Sequence, residues 1–188
     1  MTNVNTKNKT RILRIALCAL FVALIAIGGQ IQIPFVPVPF TLQTLFVLLS
    51  GALLGPIEGF LVVIVYISMG LLGLPVFSGF TGGIESVLKP SFGFIIGFAF
   101  GALLSGLIIG KKENPNILRL IIGVISGTTL IYVFGVSYYF ILKIFYIGGE
   151  INVWNIFLMF WIVFIPTDIL KGAIVVIVAK KLSKFLNN

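Results

Sequence analysis

The sequence predicts an all-α integral membrane protein of six transmembrane helices with both termini cytoplasmic, and three observations carry that reading. Hydrophobic residues fill 59% of the 188 positions and charged residues only 10%, whereas soluble domains run nearer a quarter charged. Mean hydropathy is +1.20. A helical span takes about 20 apolar residues, so the length accommodates roughly six spans joined by short loops. Ten of the thirteen Lys and Arg residues gather in three places: Lys7, Lys9, Arg11 and Arg14; Lys111, Lys112 and Arg119; Lys180, Lys181 and Lys184. The positive-inside rule assigns all three to the cytoplasm. Lys89 and Lys143 fall outside, and the net charge of +8 reports topology rather than a nucleic-acid partner.

The spans follow from breaks in the apolar sequence. Residues 15–57 are uncharged, too many for one crossing, and Pro34, Pro37 and Pro39 divide them. Span 1 is expected at 12–29 and span 2 at 41–55. Gly55-Pro56 breaks the chain again and opens span 3, at 58–74. A loop through Lys89-Pro90 leads to span 4 (91–110), a basic turn to span 5 (117–145), and Gly148-Gly149-Glu150 to span 6 (154–180). The expected organisation is one integral, multi-pass membrane domain over residues 1–188. The basic start, apolar run and Ala26-Ile27-Gly28 have the outline of a secretory leader. Yet the run is long enough to span, and its small residues form a stripe that a discarded leader would not need.

Composition also removes chemistry. There is no histidine and a single cysteine, Cys18, so an internal disulfide, a Cys/His metal site and imidazole acid–base catalysis are all excluded. No G-x-x-x-x-G-K-[ST] phosphate cradle for ATP is present. Neither an enzyme nor a bound cofactor or metal is expected.

Five features remain as candidates. The segment Gln30 to Gln43 carries three prolines in six residues, which forbid a helix, yet it is uncharged and mostly apolar. Irregular backbone at membrane depth survives only when buried in protein or lining a cavity. It reads as a loop folded into the outer mouth of the bundle, with Phe40, Thr41 and Gln43 facing a pocket; a connector in the headgroup region is the alternative. In span 6, Asp168 and Lys171 share one helical face. Twelve residues separate Asp168 from Lys180, or roughly 18 Å of rise, which places the acid near mid-membrane. Ionised groups there normally face a cavity or a partner, so the pair reads as a ligand site, or else as a structural ion pair. Pro166 frees the carbonyl of Ile162 and opens the helix beside them.

The loop Phe77 to Ser86, with Thr81, Gly82 and Gly83, reads equally as a gate or a flexible connector. Small residues mark two helices: Ala16, Ala19, Ala23 and Ala26 in span 1, and Gly93, Gly97, Gly101 and Ser105 in span 4. Such faces let helices approach closely in lipid. Internal packing is expected for the second stripe; for the first, docking of another membrane protein competes with it. Six of the seven Tyr and Trp residues lie between 132 and 161. An outer aromatic belt accounts for Trp154, while Tyr139, Tyr146 and Trp161 are candidates to wall a pocket.

Taken together, Ile33-Pro34 and Pro37-Val38-Pro39-Phe40-Thr41-Leu42-Gln43-Thr44-Leu45, the stretch Gly70 to Phe77, the Gly82-Gly83 loop and Asp168-x-x-Lys171 resemble BioY proteins. These are the biotin-specific S components of energy-coupling factor (ECF) transporters, and the similarity covers nearly the whole chain. It implies the six-helix S-component fold, a biotin pocket near the outer face formed in part by Asp168 and Lys171, and no enzymatic activity. It also implies partners: a transmembrane T component, docked on the face bearing Ala19 and Ala23, and two ATP-binding-cassette ATPase subunits. Glu85 and Lys89 stand where that family more often has apolar or small residues. The rival reading is a stand-alone proton-coupled small-molecule transporter using Asp168; a structural adaptor using the alanine face alone is a third.

Overall fold

The computed structural model describes residues 2–110, 114–148, 154, 156, 158, 160 and 164–186. Helix α1 (Thr2–Gln30) leads into a two-residue strand pair, β1 (Gln32–Ile33) and β2 (Phe40–Thr41), antiparallel with Gln32 opposite Thr41. Helices α2 (Gln43–Leu54) and α3 (Pro56–Leu71) follow, then a 3-10 turn at Ile84–Leu88, α4 (Phe92–Ile109) and α5 (Ile117–Leu142). A π-turn at Lys143–Ile147 ends α5, and α6 covers Ile165–Leu186. Trp154, Ile156, Leu158 and Phe160 are helical as well.

Helices α2 to α5 lie close to the positions expected for spans 2 to 5, and the departures elsewhere have physical reasons. Helix α1 begins ten residues earlier than the expected 12, because its basic N-terminal part contains no proline or glycine to stop it. The last span is not one continuous helix from 154 to 180. Phe164 is a turn residue and α6 restarts at Ile165, with Pro166 in its first turn, where the missing N–H is no loss. It then runs six residues past 180, to Leu186. Lys111, Lys112, Gly149, Glu150 and Trp161 lie outside the described residues.

Helix α2 is the axis of the bundle. Ten of its twelve residues are buried, against α1, α3, α4 and α6. A helix buried all round needs no polar stripe, which fits a helix that is apolar apart from Gln43, Thr44 and Ser50. At about 18 Å it is too short to cross a core of about 30 Å. The β1–β2 hairpin occupies the remaining depth at its N-terminal end. Gly55 (φ 93°) turns the chain sharply into α3, a conformation that side chains with a Cβ rarely adopt.

Helices α4 and α5 form the most extensive pairing. Gly93, Gly97 and Gly101 of α4 lie against Tyr138, Ile131, Phe134 and Gly127 of α5, so that small-residue stripe is an internal packing face. The approach of α2 to α4 reaches backbone: a Cβ on Gly51 would stand 2.2 Å from the Ala102 carbonyl oxygen. Gly51→Val is therefore expected to cost about 1–3 kcal/mol or more, read as a lowered thermal midpoint in detergent. Ala19→Val, on an exposed face, should shift stability by no more than about 0.5 kcal/mol. Equal midpoints for the two variants would contradict this packing.

Candidate functional site

Helix α6 brings the two buried charges together. Asp168 and Lys171 lie one turn apart, and the Lys171 Nζ pairs with Asp168 Oδ1; their side chains are only 12% and 8% exposed. Removing two charges from water costs several kcal/mol per ion unless each is paired and hydrogen-bonded. The second carboxylate oxygen accepts a hydrogen bond from the Tyr132 hydroxyl on α5. The ammonium also reaches the Thr41 carbonyl oxygen on β2, at 3.5 Å. One buried pair thus links α6 to α5 and to the proline-rich hairpin.

A cavity of about 40 Å³ lies beside it, room for about three waters. Val38, Pro39, Thr41, Gln43 and Thr44 line it from the hairpin and the head of α2, and Asp168, Lys171 and Phe164 from the α6 side. Phe94, Ile95 and Phe98 of α4 and Ile131 and Tyr132 of α5 form the apolar wall, with Ser78 and Ser91 at the rim. The proline-rich segment is folded in at one end only: Val38 is 5% exposed, whereas Ile33 and Val36 are 67% and 82% exposed. Prolines suit it, because a lining loop of this kind has no ladder of N–H groups to satisfy.

The hairpin is held down by polar and aromatic contacts. The Thr41 hydroxyl donates to Gln43 Oε1 at 3.1 Å. Gln43 Nε2 donates in turn to the Tyr66 hydroxyl, which donates to the Val76 carbonyl at 3.3 Å. Phe40 stacks on Phe164 with ring centroids 4.0 Å apart, and Phe35 packs against both. Phe164 itself lines the cavity, so the three rings form an aromatic cluster, or cap, against it.

Of the residues singled out in the sequence, Asp168, Lys171, Thr41 and Gln43 line the cavity; Phe40 is outside the lining, stacked on Phe164, which lines it. Thr81, Gly82 and Gly83 are outside the lining. Thr81 bridges Phe77, and the Gly83 N–H donates to the Gly70 carbonyl at 2.7 Å. Only Ser78 of that loop reaches the cavity. The loop is tied to α1 by Gln30, whose amide donates to the Phe77 carbonyl at 3.0 Å and accepts from the Phe80 N–H at 2.8 Å. Glu85 and Lys89 are exposed. Tyr139 is buried against Phe160, and Tyr146 is exposed in the π-turn; neither lines the cavity. Trp161 lies outside the described residues. Ala16, Ala19 and Ala23 are exposed in a row along α1, whereas Ala26 is half-buried against the core. That row is free for a neighbour, close to an ion pair between Arg14 and Glu58 at 3.0 Å that joins α1 to α3.

Sequence reading missed Tyr132, counted there with the aromatic belt. Its signal was available in outline: a tyrosine in the middle of an apolar span has to find a partner for its hydroxyl. Which partner it finds depends on how α5 faces α6. Ser91, Phe94, Phe98 and Phe164 carried no local signal at all.

The arrangement offers a carboxylate acceptor, an ammonium, an amide and hydroxyls around an apolar wall, which suits a small ligand with both polar and apolar faces. Among the described residues no cluster of three metal-ligating side chains occurs. A protein described as "Probable biotin transporter BioY" from Lysinibacillus sphaericus is 44% identical over 142 residues, 76% of this chain and 68% of that one. The "Biotin transporter BioY" of Thermotoga maritima is 36% identical over 165 residues, 88% and 92% of the two chains. A crystal structure of the S-component for biotin from an ECF-type ABC transporter superposes with a TM-score of 0.78 at 33% identity, covering 98% of this chain and 95% of that one. The helix order above is thus the S-component fold, in an integral membrane protein. The BioY family model itself matches residues 2–188, so the chain belongs to the BioY family.

Proposed function

We propose that this chain is the substrate-capture subunit of an ATP-driven ECF transporter and that it binds biotin beneath the proline-rich hairpin. The observation that carries the proposal is the buried Asp168–Lys171 pair opening onto a cavity that also carries the hairpin's polar groups. Biotin has a ureido ring with two N–H donors, an apolar bicycle and a short acid tail. Asp168 accepts from the ureido N–H groups, and Phe94, Phe98, Ile131 and Tyr132 contact the bicycle. Tyr132 acts as a positioning residue that fixes the carboxylate. A cavity of about 40 Å³ is smaller than the bicycle, so loading requires the Phe35, Phe40 and Phe164 cap to part.

The whole chain forms one membrane-embedded unit with both termini cytoplasmic. The exposed Ala16, Ala19 and Ala23 row docks on a transmembrane T component, which two ATPase subunits drive. Energy comes from those partners. Family membership and the absence of an ATP cradle in the sequence support that division of labour. A stand-alone proton-coupled transporter would instead take up biotin without any ATPase.

Three outcomes follow. Asp168→Asn should weaken biotin binding by roughly ten- to a hundredfold, as expected for a hydrogen bond to a charged group, in calorimetric titration of the detergent-purified chain. Tyr132→Phe should weaken it by roughly three- to tenfold and leave the thermal midpoint within a few degrees. Unchanged affinity in Asp168→Asn would remove the carboxylate from the site. Ala19→Trp should leave binding intact and abolish ATP-driven uptake in cells expressing the partner subunits. Loss of binding in that variant would mean the face packs internally, and undiminished uptake would exclude it from docking.

A further inference from the structure

Tyr66 of α3 is fully buried and lies outside the cavity lining, yet it anchors a hydrogen-bond chain that reaches the cavity. Its hydroxyl donates to the Val76 carbonyl at 3.3 Å and accepts from Gln43 Nε2. Gln43 Oε1 accepts from the Thr41 hydroxyl at 3.1 Å, and the Thr41 oxygen accepts in turn from the Gln43 backbone N–H at 3.4 Å. Gln43 is itself only 3% exposed. Thr41 and Gln43 line the cavity, whereas Val76 and Tyr66 do not.

The available protons give this chain one direction. A carbonyl oxygen can only accept, and a phenol or a threonine hydroxyl has a single proton to donate. Tyr66 gives its proton to Val76, so toward Gln43 it offers only lone pairs and must be met by the amide N–H. The reversed chain would turn that proton away from Val76. The Val76 carbonyl would keep only the Gln30 amide at 3.4 Å, and Gln30 has a closer acceptor in Phe77 at 3.0 Å. Leaving a buried polar group unserved is costly. The Gln43 amide nitrogen accordingly lies toward α3 and α1, where a Cβ on Gly29 would stand 2.9 Å from it, and neither helix contributes to the cavity lining. Thr41 has its only proton committed to Gln43. Toward the cavity the hairpin therefore presents oxygen lone pairs, as Asp168 does from α6, while the Lys171 ammonium supplies the donor that reaches both.

We infer that Tyr66 is a positioning residue that sets the hydrogen-bond polarity of the hairpin wall, so that the Thr41–Gln43 pair accepts an N–H from the ligand. The ligand class selected in this way has two N–H donors flanking a carbonyl: one donor for Asp168, one for the hairpin, and the carbonyl for Lys171. A cyclic urea has that pattern. Its assignment to the ureido ring of biotin rests on the function proposed above; the direction of the hydrogen-bond chain does not.

Two regioisomeric carbamate analogues of biotin, each with one ureido N–H replaced by a ring oxygen, separate the two acceptors in calorimetric titration of the detergent-purified chain. The native chain should bind each roughly tenfold or more weakly than biotin. Tyr66→Phe removes only the hydroxyl and frees the Gln43 amide to turn. It should bind biotin roughly three- to tenfold more weakly and reject one carbamate only, the other binding as well as biotin. A residue that merely braces the fold would weaken all three ligands alike. That result, both rejections persisting in Tyr66→Phe, or a native chain that rejects fewer than two carbamates would overturn the inference. Solid-state NMR of the ligand-free chain, with labelled glutamine side-chain nitrogen and labelled tyrosine Cζ, reads the amide direction without biotin. Dephasing present in the native chain and lost in Gln43→Glu is expected; dephasing that is absent, or unchanged in Gln43→Glu, would overturn the inference. A chain that binds no biotin but shows this contact would refute the proposed function and uphold the polarity of the hairpin.

Discussion

The structure depends on one electrostatic constraint: two opposite charges, Asp168 and Lys171, kept out of water inside a membrane protein. An isolated ion at that depth is unfavourable by several kcal/mol. The pair persists because each group is answered, the carboxylate by Lys171 and Tyr132 and the ammonium by Asp168 and the Thr41 carbonyl. Those partners come from α5 and from the hairpin, so satisfying the charges also fixes where the last helix and the hairpin sit. The aromatic cap adds apolar burial to the same placement, through Phe40 stacked on Phe164. Position and polarity of the cavity are both consequences of that single requirement.

The rest of the bundle makes a rigid frame for it. Helix α2, buried on all sides, ends where Gly51 lets α4 approach to backbone contact. Helix α5 is locked on α4 by the small-residue stripe of α4, and α5 carries Tyr132. A short α2 leaves space above it, and the hairpin fills that space with prolines and phenylalanines rather than with more helix. The opposite loop, residues 72–91, is fastened by Gln30 and Gly70.

Much of this was legible in the residues. Apolar runs broken by Pro34, Gly55-Pro56, Lys89-Pro90 and the basic turn predicted α2 to α5 to within a few positions, because such breaks act locally on the backbone; the first and last helices departed further. Asp168 and Lys171 stood out for the same elementary reason that they are costly in an apolar span. What local patterns do not encode is which helix faces which. Tyr132 was legible only as an aromatic, because its role comes from the rotation of α5 toward α6. Conversely, Tyr139 and Tyr146, equally plausible by composition, fall against Phe160 and at the surface. Gly82 and Gly83 suggested motion; in the fold they serve a tight turn onto α3.

Asp168 is the only aspartate in the chain, which permits a direct measurement of the central claim. With isotopically labelled aspartate carboxyl carbon and labelled ureido nitrogens in biotin, solid-state NMR of the reconstituted chain reads the distance between them. A hydrogen-bonded contact places a ureido nitrogen within about 4 Å of that carbon, and dipolar dephasing at that distance is the result this account predicts. Bound biotin that leaves the aspartate signal undephased would contradict it.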